Sequence, residues 1–220
     1  MVRALSVYQV LSAKKRTMPF DGEWLSVFGE PEMAKTWLIW GQSYSGKTTF
    51  VLQLCKYLCR FGRVAYNSLE EGSSRSMQIA FERVDMREVA RRFVLLDGVD
   101  MTALGELLDK RKSPDIVVVD SVQYSDMNYA SYKAFRDRHA GKLIICVSHA
   151  EGKLPEGRLA NKIRYDAMVK IRVEGYRAFV NSRYAAAEGS EKYITIWADG
   201  ANRYWGPEQA NEEDEDDENQ

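Results

Sequence analysis

The stretch "IWGQSYSGKTTF", Ile39 to Phe50, contains GQSYSGKT at positions 41–48, a match to G-x-x-x-x-G-K-[ST]. Before it, "TWLIW" (36–40) reads as a buried strand. After it, 47–61 reads as a helix with Phe50, Val51, Leu54, Leu58 and Phe61 on one face, stopped by Gly62 as a C′ glycine. Strand, glycine-bounded loop and helix, in that order, make a phosphate cradle. Glycines let the backbone N–H groups turn inward around phosphate oxygens, and the helix N-terminus adds a favourable dipole. Gly41, Gln42, Ser43, Tyr44, Ser45, Gly46, Lys47, Thr48 and Thr49 are therefore read as a nucleotide site. Lys47 would reach the β- and γ-phosphates, and Thr48 would ligate Mg²⁺.

Four further apolar runs follow: "VAYNSL" (64–69), "FVLLD" (93–97), "IVVVD" (116–120) and "LIICVS" (143–148). Helical stretches near 73–91, 101–112 and 128–139 separate them. Short apolar runs alternating with helix-length spacers predict an α/β fold whose mainly parallel sheet is covered on both faces. After Ser148 a loop, "HAEGKLPEGRLANK", leads to the alternating stretches 168–173, 178–184 and 192–198. The first two predict a hairpin across "EGY" that extends the sheet antiparallel. We expect a lead-in over 1–34 with a basic patch at Lys14–Arg16, a core domain over 35–206, and an acidic, disordered tail over 207–220.

Composition narrows the class. The chain has 220 residues, 45% of them hydrophobic and 11% aromatic, enough for one substantial core. No apolar run approaches the roughly 20 residues of a membrane helix, so no membrane span is expected. The start lacks the order of a secretory signal, so a cytoplasmic protein is expected. The net charge of −1 hides a split. Setting aside the seven acids of Glu212–Glu218 leaves 31 basic against 25 acidic residues, a body of +6. Such a body is compatible with nucleic-acid work, while the tail read alone is a solubility device. Cys55, Cys59 and Cys146 fit metal ligation with His139 or His149, or else buried thiols; the shortage of imidazoles favours thiols.

Two strand ends carry carboxylates suited to the phosphate site. Asp120 closes "IVVVD", where a water-mediated magnesium contact is wanted. Glu70 and Glu71 follow "VAYNSL", where a carboxylate can orient or deprotonate an attacking water. Acids there also suit the first turn of a helix, so one residue can serve each purpose.

The set "GQSYSGKTTF", "YNSLEEGSSRSMQIAFER", "VVVDSVQ" and "ICVSHAEGK" resembles the ATPase core of RecA, the bacterial RadA/Sms proteins and DnaB-type helicases. It most resembles the RadA core and the small RecA-core ATPases of phages and mobile elements, over about residues 36–184. The resemblance implies a RecA-like P-loop fold and a DNA-dependent ATP hydrolase working in recombination, annealing or replication support. It implies Glu70 as the catalytic carboxylate and Asp120 as the magnesium-side aspartate. His149, or its neighbour Ser148, becomes the γ-phosphate sensor; without the resemblance His149 reads as a satisfied strand-end histidine.

Two loops of the resembled family hold single-stranded DNA, and they fall here at 124–131 and 150–164. The second carries Lys153, Arg158, Lys162 and Arg164 among Gly152, Pro155 and Gly157, and is expected to be irregular. Tyr124 and Tyr129 read equally as stacking faces or as packing. The family's Lys-x-Arg element, which reaches a neighbour's ATP, is matched only by Arg183 in "NSRYA", since Asn181 stands at the lysine position. A site completed by a neighbour implies a head-to-tail homo-oligomer, ring or filament. Two rivals remain open: a regulatory ATPase acting on protein partners, and a nucleotide-binding scaffold with little turnover.

Overall fold

The computed structural model describes residues 4–185 and 192–207; the acidic run expected as a tail lies outside them. In chain order the elements are α1 (Val7–Ser12), α2 (Gly22–Phe28), β1 (Lys35–Gly41), α3 (Lys47–Leu58), β2 (Val64–Ser68), α4 (Arg75–Val84), β3 (Phe93–Asp97) and α5 (Met101–Asp109). There follow β4 (Ile116–Asp120), α6 (Tyr129–Arg138), β5 (Leu143–Ser148), β6 (Ala150–Glu151), β7 (Leu154–Pro155), α7 (Gly157–Asp166), β8 (Val169–Glu174), β9 (Arg177–Ser182), β10 (Tyr193–Thr195) and α8 (Ala198–Trp205).

The main sheet runs β10-β9-β8-β1-β5-β4-β2-β3. Strands from β8 to β3 pair parallel, and β9 and β10 are added antiparallel. This is the expected α/β architecture with its C-terminal hairpin. β1, β4 and β5 are apolar almost throughout because both their faces are covered. One core layer joins Trp37, Ile39 and Tyr66 to Phe50, Leu54 and Leu58 of α3 and to Met77 of α4. The other joins Leu38, Val117 and Ile144 to Leu104 of α5, Tyr132 of α6, and Ala160 and Ile163 of α7.

The hairpin turns on Gly175 and Tyr176, both at positive φ (52° and 59°), the backbone of a two-residue type I′ connection. The described lead-in is not peripheral. Phe20, Trp24 and Phe28 pack against Trp37, Phe50, Tyr57 and Phe61, with Phe28 stacked on Trp37 at 5.4 Å. Asp21 receives both guanidinium nitrogens of Arg60 (2.9 and 2.6 Å) and the Tyr57 hydroxyl (2.9 Å).

Four local expectations fail for identifiable reasons. The helix read over 47–61 ends at Leu58, and the chain leaves through a turn whose last bond runs from Gly62 N–H to the Leu58 carbonyl. The helix read over 73–91 breaks at Asp85, which adopts left-handed backbone (φ 53°), and resumes only as a short 3-10 turn. The strand read over 192–198 is cut to three residues because Ala198 opens α8, which seals Gly200 and Ala201 against the body. The loop read over 150–164 is ordered: Ala150–Glu151 pairs with Leu154–Pro155, and Gly157–Asp166 is helical. Ala160, Ile163 and Ala167 recur at helical spacing and are buried, which outweighs the nearby Gly and Pro residues.

Candidate active site

Parallel strands open a crevice at their C-terminal ends, and the phosphate loop lies there at the end of β1. Gly46 takes φ 95° and gives way to α3, whose first residue is Lys47. The loop is built for a close approach of backbone. A Cβ at Gly41 would meet the Val173 carbonyl oxygen at 2.5 Å, and one at Gly46 would meet the Tyr176 ring at 3.0 Å. The buried Ser45 hydroxyl has no hydrogen-bond partner, so the loop keeps an unused polar atom. Tyr44 is 96% exposed at the loop's tip.

A cleft of about 930 Å³ opens beside the loop. Gln42, Ser43, Tyr44, Gly46, Lys47, Thr48 and Thr49 line one end; Glu70, Glu71, Asp120 and His149 line its wall. The structure thus brings together the expected phosphate loop and the carboxylates and imidazole read from three other strand ends. A compact group of oxygen donors beside Lys47 and Thr48 fits a triphosphate with Mg²⁺, which takes only one or two carboxylates and keeps water and phosphate oxygens. Among the described residues no three His, Cys, Asp or Glu side chains gather to hold a metal by themselves. The three cysteines are buried.

Glu70 is held on two sides. His149 Nε2 lies 3.1 Å from its Oε2, and the Ser121 hydroxyl donates to the same oxygen at 3.4 Å. Glu71 points elsewhere, accepting from the Ser76 hydroxyl at 3.0 Å near the start of α4. The two glutamates thus part ways, Glu70 toward β4 and β5 and Glu71 toward α4. Asp120 accepts a hydrogen bond from the buried Tyr66 hydroxyl. Burial pushes the Asp120 carboxyl above its ordinary range; the Tyr66 bond and Lys47 oppose that rise, and Glu70 and Glu71 add to it.

Asp97, at the end of β3, binds the segment that follows the glutamates. Its carboxylate accepts from the Ser73 hydroxyl (2.5 Å) and the Ser73 N–H (3.2 Å), and a Cβ at Gly72 would collide with it. The sequence reading missed Asp97, and it missed five lining residues of the cleft, Ser76, Arg83, Tyr176, Ile196 and Trp197. Arg83 donates to the Thr49 hydroxyl at 3.2 Å. Trp197, 44% exposed, meets Tyr176 edge-on at 5.1 Å in the cleft lining. Asp97 carries the strand-end mark that picked out Asp120, and Arg83 lies on α4, whereas Tyr176, Ile196 and Trp197 are carried in from far along the chain by the hairpin and the approach to α8.

From the cleft a chain of hydrogen bonds runs outward. Gln123 donates to the Ser148 hydroxyl (2.8 Å) and to the Glu156 carbonyl (3.1 Å). It also accepts from the His149 N–H at 3.4 Å, and the Glu156 N–H binds the His149 carbonyl at 2.9 Å. Glu156 is the N-cap residue of α7. The four basic residues expected on a DNA loop divide. Lys153 sits at the turn between β6 and β7. Arg158 and Lys162, four apart, share the exposed face of α7 with Tyr165, and Lys162 lies over the Tyr129 ring at 4.9 Å. Arg164 falls on the flank turned toward the buried face. Tyr124 is exposed near His149, whereas Tyr129 is tied by its hydroxyl to Asp166 at 3.1 Å.

Arg183 is not in its own chain's cleft. Its N–H binds the Met168 carbonyl at 3.0 Å, at the start of β8, while the phosphate loop lies beside Val173. Five residues of strand separate the two levels, about 16 Å.

No protein-family model matches the chain, and no curated protein matches it in sequence. In structure it is similar to the flagellar accessory protein FlaH from Methanocaldococcus jannaschii, with a TM-score of 0.58 and 19% identity. The similarity covers 82% of this chain and 93% of that one. What this likeness shows is the shared RecA-like fold.

Proposed function

We propose that the chain is a Mg²⁺-dependent ATPase of the RadA and DnaB-type group, acting on single-stranded DNA as a head-to-tail homo-oligomer, ring or filament, in the cytoplasm. The observation that carries the catalytic part is the cleft itself, where the phosphate loop faces Glu70, Asp120 and His149. The loop's backbone N–H groups and Lys47 bind and orient the phosphates. Thr48 and Asp120 would hold Mg²⁺, which when bound draws charge from the β- and γ-phosphate oxygens. Glu70 accepts a proton from water as the water oxygen bonds to the γ-phosphorus and the bridging oxygen leaves with ADP. His149 and Ser121 hold the carboxylate in place for that step.

The DNA part rests on the exposed basic face of α7 and on its connection to the cleft. A γ-phosphate that engages His149 competes for the imidazole's contact with Glu70, and the bonds through Gln123 and Glu156 carry that change to α7. Lys153, Arg158 and Lys162 then meet backbone phosphates, with Tyr124 and Tyr165 offering ring faces. A second reading, an ATPase acting on protein partners, draws on the likeness to a flagellar accessory protein and on the ordered helix found where a DNA loop was expected. Phosphate release measured with and without a single-stranded oligonucleotide separates the two. Stimulation that Arg158→Ala with Lys162→Ala removes supports DNA; indifference to the oligonucleotide supports protein partners.

A further inference from the structure

Three cations that the sequence assigned to separate tasks, or to none, meet at the start of β8. Alternation in β8 sends Val169, Ile171 and Val173 into the core layer shared with α3 and turns Lys170 to the opposite face. Lys170 stands directly across from Asn181 of β9, so their side chains share that face. Arg183, two residues beyond Asn181, is anchored by its backbone to Met168. Arg164 lies in the last turn of α7, which covers that face through Ala160 and Ile163; its guanidinium sits 5.2 Å from the Tyr165 ring centroid and its charge bears on the Lys170 amine.

None of the three is ion-paired among the described residues. The nearest carboxylate along the chain, Asp166, is already taken by Arg136 at 2.8 Å. Elsewhere the fold balances its clustered cations, as in Arg138 with Asp109 and Arg60 with Asp21. The Nε of Arg164 is shut off from solvent and has no hydrogen-bond partner, although a buried donor of this kind is nearly always satisfied. Burial lowers the Lys170 amine below its ordinary range, and the guanidinium groups of Arg183 and Arg164 lower it further.

We propose that Arg164, Lys170 and Arg183 form a binding site for a phosphate-class oxyanion, distinct from the nucleotide cleft. Two guanidinium forks and one ammonium supply several donors around a compact dianion, and the anion removes the mutual repulsion of the three. Its own chain's nucleotide does not reach it, since the phosphate loop lies at the opposite end of β8. The oxyanion therefore comes from solution, as free phosphate, or from the nucleotide held by a second copy of this chain. The second source rests on the ATPase reading; the site does not. Lys170 would then supply from β8 the amine that Asn181 cannot supply from β9.

The first test uses the full chain carrying Lys47→Ala, which disables the cleft, titrated calorimetrically with inorganic phosphate. One saturable site per chain is expected. Adding Lys170→Ala or Arg164→Gln should weaken it at least tenfold, with an unchanged circular dichroism spectrum, and Lys170→Arg should retain it. No saturable binding, or binding indifferent to both Lys170→Ala and Arg164→Gln, overturns the proposal. The source is read by mixing Lys47→Ala chains, slow alone, with chains carrying both Lys170→Ala and Arg183→Ala, which are slow alone only if a second copy's nucleotide is the source. Recovered phosphate release on mixing assigns the site to a second copy's nucleotide. No recovery, with phosphate still bound in the titration, assigns it to free phosphate.

Discussion

The imidazole of His149 and the carboxylate of Glu70 stand 3.1 Å apart, joining the ends of β5 and β2 across the mouth of β4. In this arrangement the residue proposed to take the proton from water is positioned by the residue proposed to sense the γ-phosphate. Glu70→Gln keeps the shape and removes the base, so phosphate release should fall by about 10² or more while nucleotide affinity stays within a few fold. His149→Ala should lower kcat less than Glu70→Gln and abolish any difference made by an oligonucleotide. Rapid-quench turnover and equilibrium nucleotide binding, measured on both variants, check the pair.

Asp97 predicts a different signature because it touches Ser73 rather than the cleft. Asp97→Ala frees the segment after Glu70 and Glu71 and should lower kcat about tenfold, the scale of one or two charge-assisted hydrogen bonds. Nucleotide KM should barely move, since the phosphate loop is untouched. Asp97→Asn, which keeps one acceptor, should recover part of the rate. An equal loss in both variants with a raised KM would remove Asp97 from this role.

Asp120 links pH to both rate and stability. Its carboxyl lies above the ordinary range, chiefly through burial, and must be ionised to serve Mg²⁺. Turnover should therefore fall on the acid side at a higher pH than an exposed aspartate would give. Tyr66→Phe removes a bond that favours the ionised form, so that limb should move further up in pH. The stability sign is opposite. A raised folded-state value favours the folded chain below the unfolded value, and this advantage is lost as pH rises through the folded one. Asp120→Asn should therefore raise the melting temperature of nucleotide-free protein near neutral pH while ending turnover.

Asp21 titrates the other way. The Arg60 and Tyr57 side-chain bonds hold its carboxyl down to about 2. A depressed value gives stability that is present above the unfolded value near 3.9 and lost as pH falls toward about 2. Asp21→Asn should lower the melting temperature at pH 5 to 7, and the gap from the parent should close on acidification through that window.

What the sequence revealed depended on how local the constraint was. The phosphate loop and the carboxylates at strand ends were legible because position along a parallel strand and position in the cleft are the same fact. Glu70 and Asp120 had to open on the same crevice as Lys47 once β1, β5, β4 and β2 lay parallel in that order in one sheet. The helix α7 was not legible as a helix, because Gly152, Pro155 and Gly157 crowd its entrance while its buried stripe is only Ala160, Ile163 and Ala167. The placement of Tyr176 and Trp197 in the cleft needs a two-residue turn and α8 to fold back across the loop, a long-range event with no local mark. The register that sets Lys170 against Asn181 belongs to two strands jointly and cannot be read from either alone.

The most direct test of the central claim is steady-state phosphate release from ATP by the full chain, with Mg²⁺, in the presence and absence of a single-stranded oligonucleotide. The expectation is turnover that Lys47→Ala and Glu70→Gln each abolish and that the oligonucleotide accelerates. Nucleotide binding without turnover in the parent chain, or turnover that survives Glu70→Gln, would contradict it.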